Sequence, residues 1–377
     1  MSLRPTVLGA VAAAVAAAPA GAEIHFLAKQ YTRCTACHYA ESGGTLLTAY
    51  GRSLSREELS SFGKSSGDLL GTEHEALFGA VRAAIEDVPI LEGLDLGVAV
   101  RPSRLEFDAG RGKIKRDLWM KADLQAAYQR GGWTAYGEVG RYPSEPAEFI
   151  SREHWLSFTA GSGTGFRVGR FLPAFGLRHL DHTSLNRRDL GFGEDDQIYG
   201  VELSQTGDKS LVQFALGPGR AESLLDDDGL ANFTVTGRVQ RDLSNRQVLA
   251  LSGLYRAGND RVERHAIGSV AYGIAPSERL SVWAELDARV QEGWKGTPEY
   301  TVFSEVSFEA VRGIWLKFSP QLRTELANVS GGATRYAFGV QLFPRTHWNL
   351  NVSWIRDRDR LSGFTFKTSV VQLHLYL

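Results

Sequence analysis

From Gly93 to the C-terminus, apolar and polar residues alternate with a period of two, in segments of about ten residues separated by turn-forming residues. Leu280, Val282, Ala284 and Leu286 oppose Ser281, Trp283, Glu285 and Asp287, and Ile314, Leu316 and Phe318 oppose Trp315, Lys317, Ser319 and Gln321. Trp348, Leu350, Val352 and Trp354 likewise oppose His347, Asn349, Asn351 and Ser353. Leu118, Met120, Ala122, Leu124 and Ala126 read as one continuous apolar face against Asp117, Trp119, Lys121, Asp123 and Gln125. About sixteen segments begin near residues 94, 116, 132, 150, 164, 197, 209, 231, 247, 264, 278, 299, 313, 333, 346 and 365.

The connections alternate too. Those at residues 129–132, 160–164, 206–209 and 344–347 are short, whereas residues 174–196 and 217–230 form long links rich in charge, Gly and Pro. An even strand count, with short turns at one end and long loops at the other, predicts a mainly β transmembrane antiparallel barrel of about 16 strands, apolar toward lipid and polar toward a wet lumen. A soluble β-sandwich or propeller also alternates, but it does not sort its connection lengths by side or place charged and amide side chains on one face of strand after strand.

Ahead of the strands the period changes. Ser55-Arg56-Glu57-Glu58 and Thr72-Glu73-His74-Glu75 have the form of helix capping boxes, and Leu77, Phe78, Val81 and Ile85 recur at helical spacing before Pro89. The first residues have Arg4, an apolar run to Ala18 and Ala20-Gly21-Ala22, which fits a cleaved export signal; the run is too short for a spanning anchor. The chain thus divides into a signal peptide (1–22), a small helical module (23–92) and a barrel (93–377). A segment so poor in large apolar side chains makes a marginal core alone, so the module leans on a cofactor and on the barrel, which needs a plug at this width.

The formal charge is −1, which argues against nucleic acid as a partner. Forty-one glycines and 10% aromatic residues suit a strand-rich chain. The decisive chemistry is Cys34-Thr35-Ala36-Cys37-His38, which holds both cysteines of the protein. Two thiols at this spacing can add to the two vinyl groups of one haem, giving covalent haem c, while His38 takes the iron. A thiol oxidoreductase uses the same C-x-x-C but needs a strand before it and βαβ units around it; a zinc site needs more ligands than the nearby His25.

With this motif beside an export signal, Gly43-Gly44 and Ala49-Tyr50-Gly51-Arg52 after it, and the strand repeat beyond, the chain resembles the fused outer-membrane monohaem cytochrome c-porins of iron-oxidising bacteria. The resemblance covers the layout of the whole mature chain. It implies electron transfer across the outer membrane of a Gram-negative bacterium, with ferrous iron as donor and a haem module plugging the barrel.

A relay haem commonly has a second axial ligand. Met120 shares the apolar face of its strand and is expected to face lipid, so histidine is the better choice. His74 is the leading candidate, because it lies three and seven residues before Leu77 and Val81; His25 is the alternative. His347 and His374 fall on lumenal faces, and His179 and His182 lie in the long 174–196 connection, which can fold into the lumen. The acidic run Asp226-Asp227-Asp228 reads as a solvated loop.

The expected activity is a one-haem conduit between an extracellular donor or acceptor such as iron and a soluble periplasmic carrier, either a cytochrome or a copper protein. The protein adds no catalytic side chain of its own. Two other classes use the same parts. A haem peroxidase would need an open iron position with Arg52 or His74 as acid–base partner, and a solute channel would use the haem segment only as a structural plug.

Overall fold

The computed structural model describes residues 24–39, 46–61, 92–110, 112–141, 149–179, 181, 183–188, 190, 196–218, 233–257, 264–291, 293, 296–325 and 331–376. The signal peptide, Gly43-Gly44, the second capping box with His74, His182 and the 226–228 acidic run lie outside them.

The alternating segments form strands β1 (Leu94–Asp108), β2 (Lys113–Arg130), β3 (Trp133–Arg141), β4 (Phe149–Ile150), β5 (His154–Thr159), β6 (Thr164–Phe171), β7 (Ile198–Gly207), β8 (Ser210–Pro218) and β9 (Phe233–Ser244). They continue as β10 (Gln247–Ala257), β11 (His265–Ser277), β12 (Leu280–Gln291), β13 (Glu299–Val311), β14 (Ile314–Arg323), β15 (Ala333–Leu342), β16 (Trp348–Asp359) and β17 (Thr365–Tyr376). Every sequential pair is antiparallel, and β4 and β5 both pair with β3 as two pieces of one broken strand. β17 returns to pair with β1, Ala99 opposite Tyr376 and Asp108 opposite Lys367, so sixteen staves close into a barrel with no free edge. Closure gives the wall's backbone groups partners within the chain, which is the condition for crossing lipid with strands.

The pleat sorts the residues as the alternation requires. Leu124, Leu203, Leu286, Phe318 and Trp354 are exposed on the outer face, while Asp123, Glu202, Asp287 and Gln321 point inward and are buried. Such interior charges are tolerable because they are paired. Lys121 Nζ lies 2.7 Å from Asp123 and Arg167 Nη2 lies 2.7 Å from Glu202.

One face departs from the straight reading. Arg101 pairs with Lys121 and Pro102 with Trp119, which leaves Met120 unpaired as a β-bulge. Past a bulge the side-chain parity flips. Trp119 turns outward at 54% exposure, and Met120, at 2%, turns into the barrel beside Ser103 and Leu105. The expectation that Met120 faces lipid is therefore corrected. Strict alternation through Leu118, Met120 and Leu124 runs across a position where the strand breaks step.

The lumen is filled from both ends. From the long-loop end, the chain between β6 and β7 folds inward, burying Leu172, Phe175, Leu177, His179, Leu185 and Leu190. It is held by Leu177 N–H to Glu285 (2.9 Å), Leu185 N–H to Gln321 (2.8 Å) and Asn186 Nδ2 to Glu285 (2.7 Å). From the short-turn end, the N-terminal segment enters. Leu27, Ala28 and Leu59 of that segment and Leu177 of the loop share one apolar cluster with Trp283, Phe303, Trp315 and Phe343 of the wall.

Candidate functional site

The cysteine motif sits in the N-terminal segment at the short-turn end. Cys34–Ala36 form one 3₁₀ turn, closed by Cys37 N–H to the Cys34 carbonyl at 3.1 Å and by His38 N–H to the same carbonyl at 3.0 Å. In a 3₁₀ turn, side chains three residues apart eclipse. The turn therefore sets the Cys34 and Cys37 thiols, both free and half-buried, on one side of the chain.

His38 leaves the turn in an antiparallel bridge to Leu47, extended by Tyr39 N–H to the Leu46 carbonyl at 3.2 Å. Thr48 then binds the Cys37 carbonyl through its N–H at 2.8 Å and caps helix α1 (Ala49–Leu54) by accepting the Gly51 N–H at 3.1 Å. The helix begins at this threonine and not at Ser55, where the capping-box reading placed its start. Ser55 continues the helical chain into a single π turn, Ser55–Leu59, and its hydroxyl meets the Tyr376 hydroxyl at 3.0 Å.

The motif is fixed to the barrel by charge and by ring packing. Arg33, next to Cys34, donates Nε to Asp242 (2.9 Å), Nη1 to the Gly207 carbonyl (2.7 Å) and Nη2 to the Asp208 carbonyl (2.9 Å). On the far side of the motif, Arg52 and Tyr39 converge on Asp95 at the start of β1, with Arg52 Nη2 at 2.8 Å. Tyr39 and Leu46 pack on Tyr136, Trp155 and Phe171. Lys29 reaches Glu309 at 2.6 Å, and Ser61 N–H bonds the Phe343 carbonyl at 2.8 Å. None of Arg33, Asp95 and Asp242 carries a sequence signal; their partnership exists only once the module enters the barrel.

The surroundings of the two thiols act on their acidity. Burial, with Cys34 alongside, pushes the Cys37 thiol up to about 11, and burial raises Cys34 as well, partly offset by Arg238 and Arg178. Thiol oxidoreductases depend on a depressed cysteine pKa, the opposite of what this setting produces. Arg178 also keeps Nε and Nη1 buried with no hydrogen-bond partner among the described residues. Two eclipsed, neutral thiols followed at once by a histidine, with cations beside Cys34, fit a covalently held porphyrin and its carboxylates.

The candidate second ligands are distributed around the lumen. His25 is fully buried against Trp315, with ring centroids 4.4 Å apart and Phe26 and Phe343 around it, in the cluster on the β10–β14 side. Burial holds its imidazole well below the usual range, and so does the charge of Lys317. Tyr39, the residue after His38, packs in the other cluster. His347 and His374 gather about Tyr376, at centroid distances of 5.6 and 4.8 Å, beside Ser55. His179 stacks on Phe303 at 4.2 Å within the inner loop, where burial and Arg187 lower it to about 3.

Beside the inner loop a cavity persists, lined by Met120, His179, Asp181, Glu305, Lys317 and Asn351 among others. Among the described residues no three His, Cys, Asp or Glu side chains cluster as a metal site.

No protein-family model and no curated protein matches the sequence. Solved structures do match the fold. An anion-selective porin from Comamonas acidovorans aligns over 75% of this chain and 99% of its own, at TM-score 0.58 and 10% identity. Salmonella typhi OmpF in complex with daunomycin covers 75% and 97% at TM-score 0.56 and 11% identity, and OmpT of Vibrio cholerae covers 75% and 97% at 0.51 and 10%. At such identities the likeness is one of fold: a closed sixteen-stranded barrel of the outer-membrane porin kind.

Proposed function

We propose that the chain is an outer-membrane electron conduit, in which Cys34 and Cys37 would hold one haem c covalently and His38 would bind its iron. The observation that carries this reading is the single 3₁₀ turn that aligns both thiols ahead of His38, seated at the short-turn end of a porin-like barrel, the end that faces the periplasm in such barrels. When bound, the porphyrin supplies a one-electron redox centre. The chain's own residues do the rest. Arg33, Arg52 and Asp95 orient the motif, Tyr39 and Leu46 exclude water from one side, and Arg178 and Arg238 stand by Cys34 as counter-charges for carboxylates. Position at the periplasmic mouth suits exchange with a soluble cytochrome or copper protein. An extracellular donor such as ferrous iron, losing one electron per ion, would approach from the opposite, long-loop end. Expression with haem maturation, followed by potentiometry of the detergent-solubilised protein, tests the reading. A colourless product, or an iron whose oxidation state never responds to donors, would end it.

A second reading, a solute channel with a structural plug, is favoured by the cavity beside the inner loop, whose lining mixes Asp181, Glu305 and Lys317 with Asn351. Liposome swelling separates the two, because a conduit needs a sealed lumen and a channel passes solute.

A further inference from the structure

On the outer face of β16 and β17, Arg356 and Lys367 are direct cross-strand partners, and both are exposed. Like charges placed opposite each other on a sheet are unfavourable unless an anion lies between them. Arg358 follows on the same face, with its guanidinium 3.7 Å from the place a Cβ would take at Gly363. No carboxylate pairs with any of the three among the described residues, although Asp108 stands opposite Lys367 across β1. Their height matters. Trp354, two residues before Arg356 on the same outward face, is 49% exposed, and Tyr336, the cross-strand partner of Arg356, is 53% exposed. Exposed aromatic residues of this kind mark the edge of the lipid-facing belt. The cations thus stand immediately beyond the hydrocarbon at the long-loop end, the outer side of an outer-membrane barrel.

We infer that Arg356, Arg358 and Lys367 form a binding site for the phosphate groups of outer-leaflet glycolipid headgroups. An Arg fork accepts a phosphate bidentately, the lysine adds a compact charge, and a bound phosphate turns the repulsion between paired cations into shared attraction. The acyl chains of such a lipid run down the belt beneath Trp354 and Tyr336. Free phosphate offers the same oxygen chemistry without that anchor. The inference rests on the barrel alone and is independent of the haem reading.

The test uses the full-length protein, refolded or membrane-extracted, in phosphatidylcholine vesicles with and without lipid A, comparing wild type with the Arg356→Gln/Lys367→Gln double variant. Arg241→Gln, an exposed site at the short-turn end, is the control. Heat-modifiable gel mobility confirms that each barrel is folded. Retained lipid A, counted by mass spectrometry after detergent extraction, is expected to fall at least fivefold in the double variant only, and to recover in Lys367→Arg combined with native Arg356. Equal retention in wild type and double variant would overturn the site. So would equal retention of dephosphorylated lipid A by the wild type. Displacement of lipid A by low-millimolar inorganic phosphate would assign the site to a free anion and overturn the glycolipid assignment.

Discussion

Gly51 lies against the carbonyl of Cys37, so close that a Cβ at Gly51 would stand 2.4 Å from that oxygen. The glycine is helical, so its role is close approach and not an unusual φ. It lets α1 rest on the cysteine turn, while Thr48 binds the same carbonyl. Gly51→Ala should therefore destabilise the module by about 1–3 kcal/mol through overpacking, against a helix-propensity gain below about 1 kcal/mol. The expected outcome is at least a twofold drop in haem per protein after maturation, with the barrel's heat-modifiable mobility unchanged. Full haem loading in that variant would show that α1 does not support the motif.

The raised thiols give a pH prediction for the chain produced without haem maturation. A Cys37 pKa near 11 in place of 9.0 leaves about one-hundredth of the usual thiolate at pH 8. Alkylation by iodoacetamide should be slow there and climb as pH passes 9 toward 11. For stability the sign follows from which state holds the proton more tightly. The folded thiol does, so its contribution is complete below about pH 9 and is lost as pH rises toward 11. Fast alkylation at pH 7 would point instead to an activated redox cysteine.

The bulge on β2 makes opposite predictions for two residues that the alternation alone puts on one face. Nitroxide labels at Met120→Cys and Leu124→Cys, in the haem-bound protein where the native cysteines are consumed, should differ in environment. The label at 124 should be relaxed by oxygen dissolved in lipid, and the label at 120, shielded inside the barrel, should respond to that oxygen far more weakly. Oxygen dominating at both positions would remove the bulge.

How much of this was legible in the residues depends on the range of the force involved. Strand starts observed at 94, 133, 164, 198, 247, 299, 333 and 365 fall within one residue of those expected, because burial on one side of a pleat imprints its period locally. The β-bulge at Met120 was hidden because one extra residue leaves no compositional mark. The cysteine motif was plain, since two thiols and a histidine at fixed spacing are covalent chemistry. Its anchors were not. Arg33 meets Asp242 across 209 positions and Arg52 meets Asp95 across 43, and only the topology brings such pairs together. The helix start failed for a similar reason. Ser55 has the sequence form of a cap, but Thr48 is already committed to the Cys37 carbonyl and opens the helix first.

Arg335 decides whether the inner loop stays across the lumen. It is 1% exposed on β15 and binds the Thr183 carbonyl at 2.7 Å and Asp181 at 3.2 Å, with Asp357 at 3.5 Å on its own wall. Arg335→Ala leaves both carboxylates without this cation inside the barrel, a loss on the order of 3 kcal/mol for a buried network. The loop also has Leu185 N–H on Gln321 and Leu177 N–H on Glu285, so it should loosen at its 181–183 turn without leaving the lumen. Sugar uptake into proteoliposomes should then rise several-fold over wild type, while a redox potential measured at the far, short-turn end stays unchanged. Separation of those two readouts is expected because the 181–183 turn is tied to β15 through Arg335, whereas the part of the loop nearest the cysteine turn, Leu177 and Arg178, keeps its own anchors on Glu285 and Glu153. A shifted potential with no gain in uptake would mean that the loop supports the redox site and does not gate the lumen.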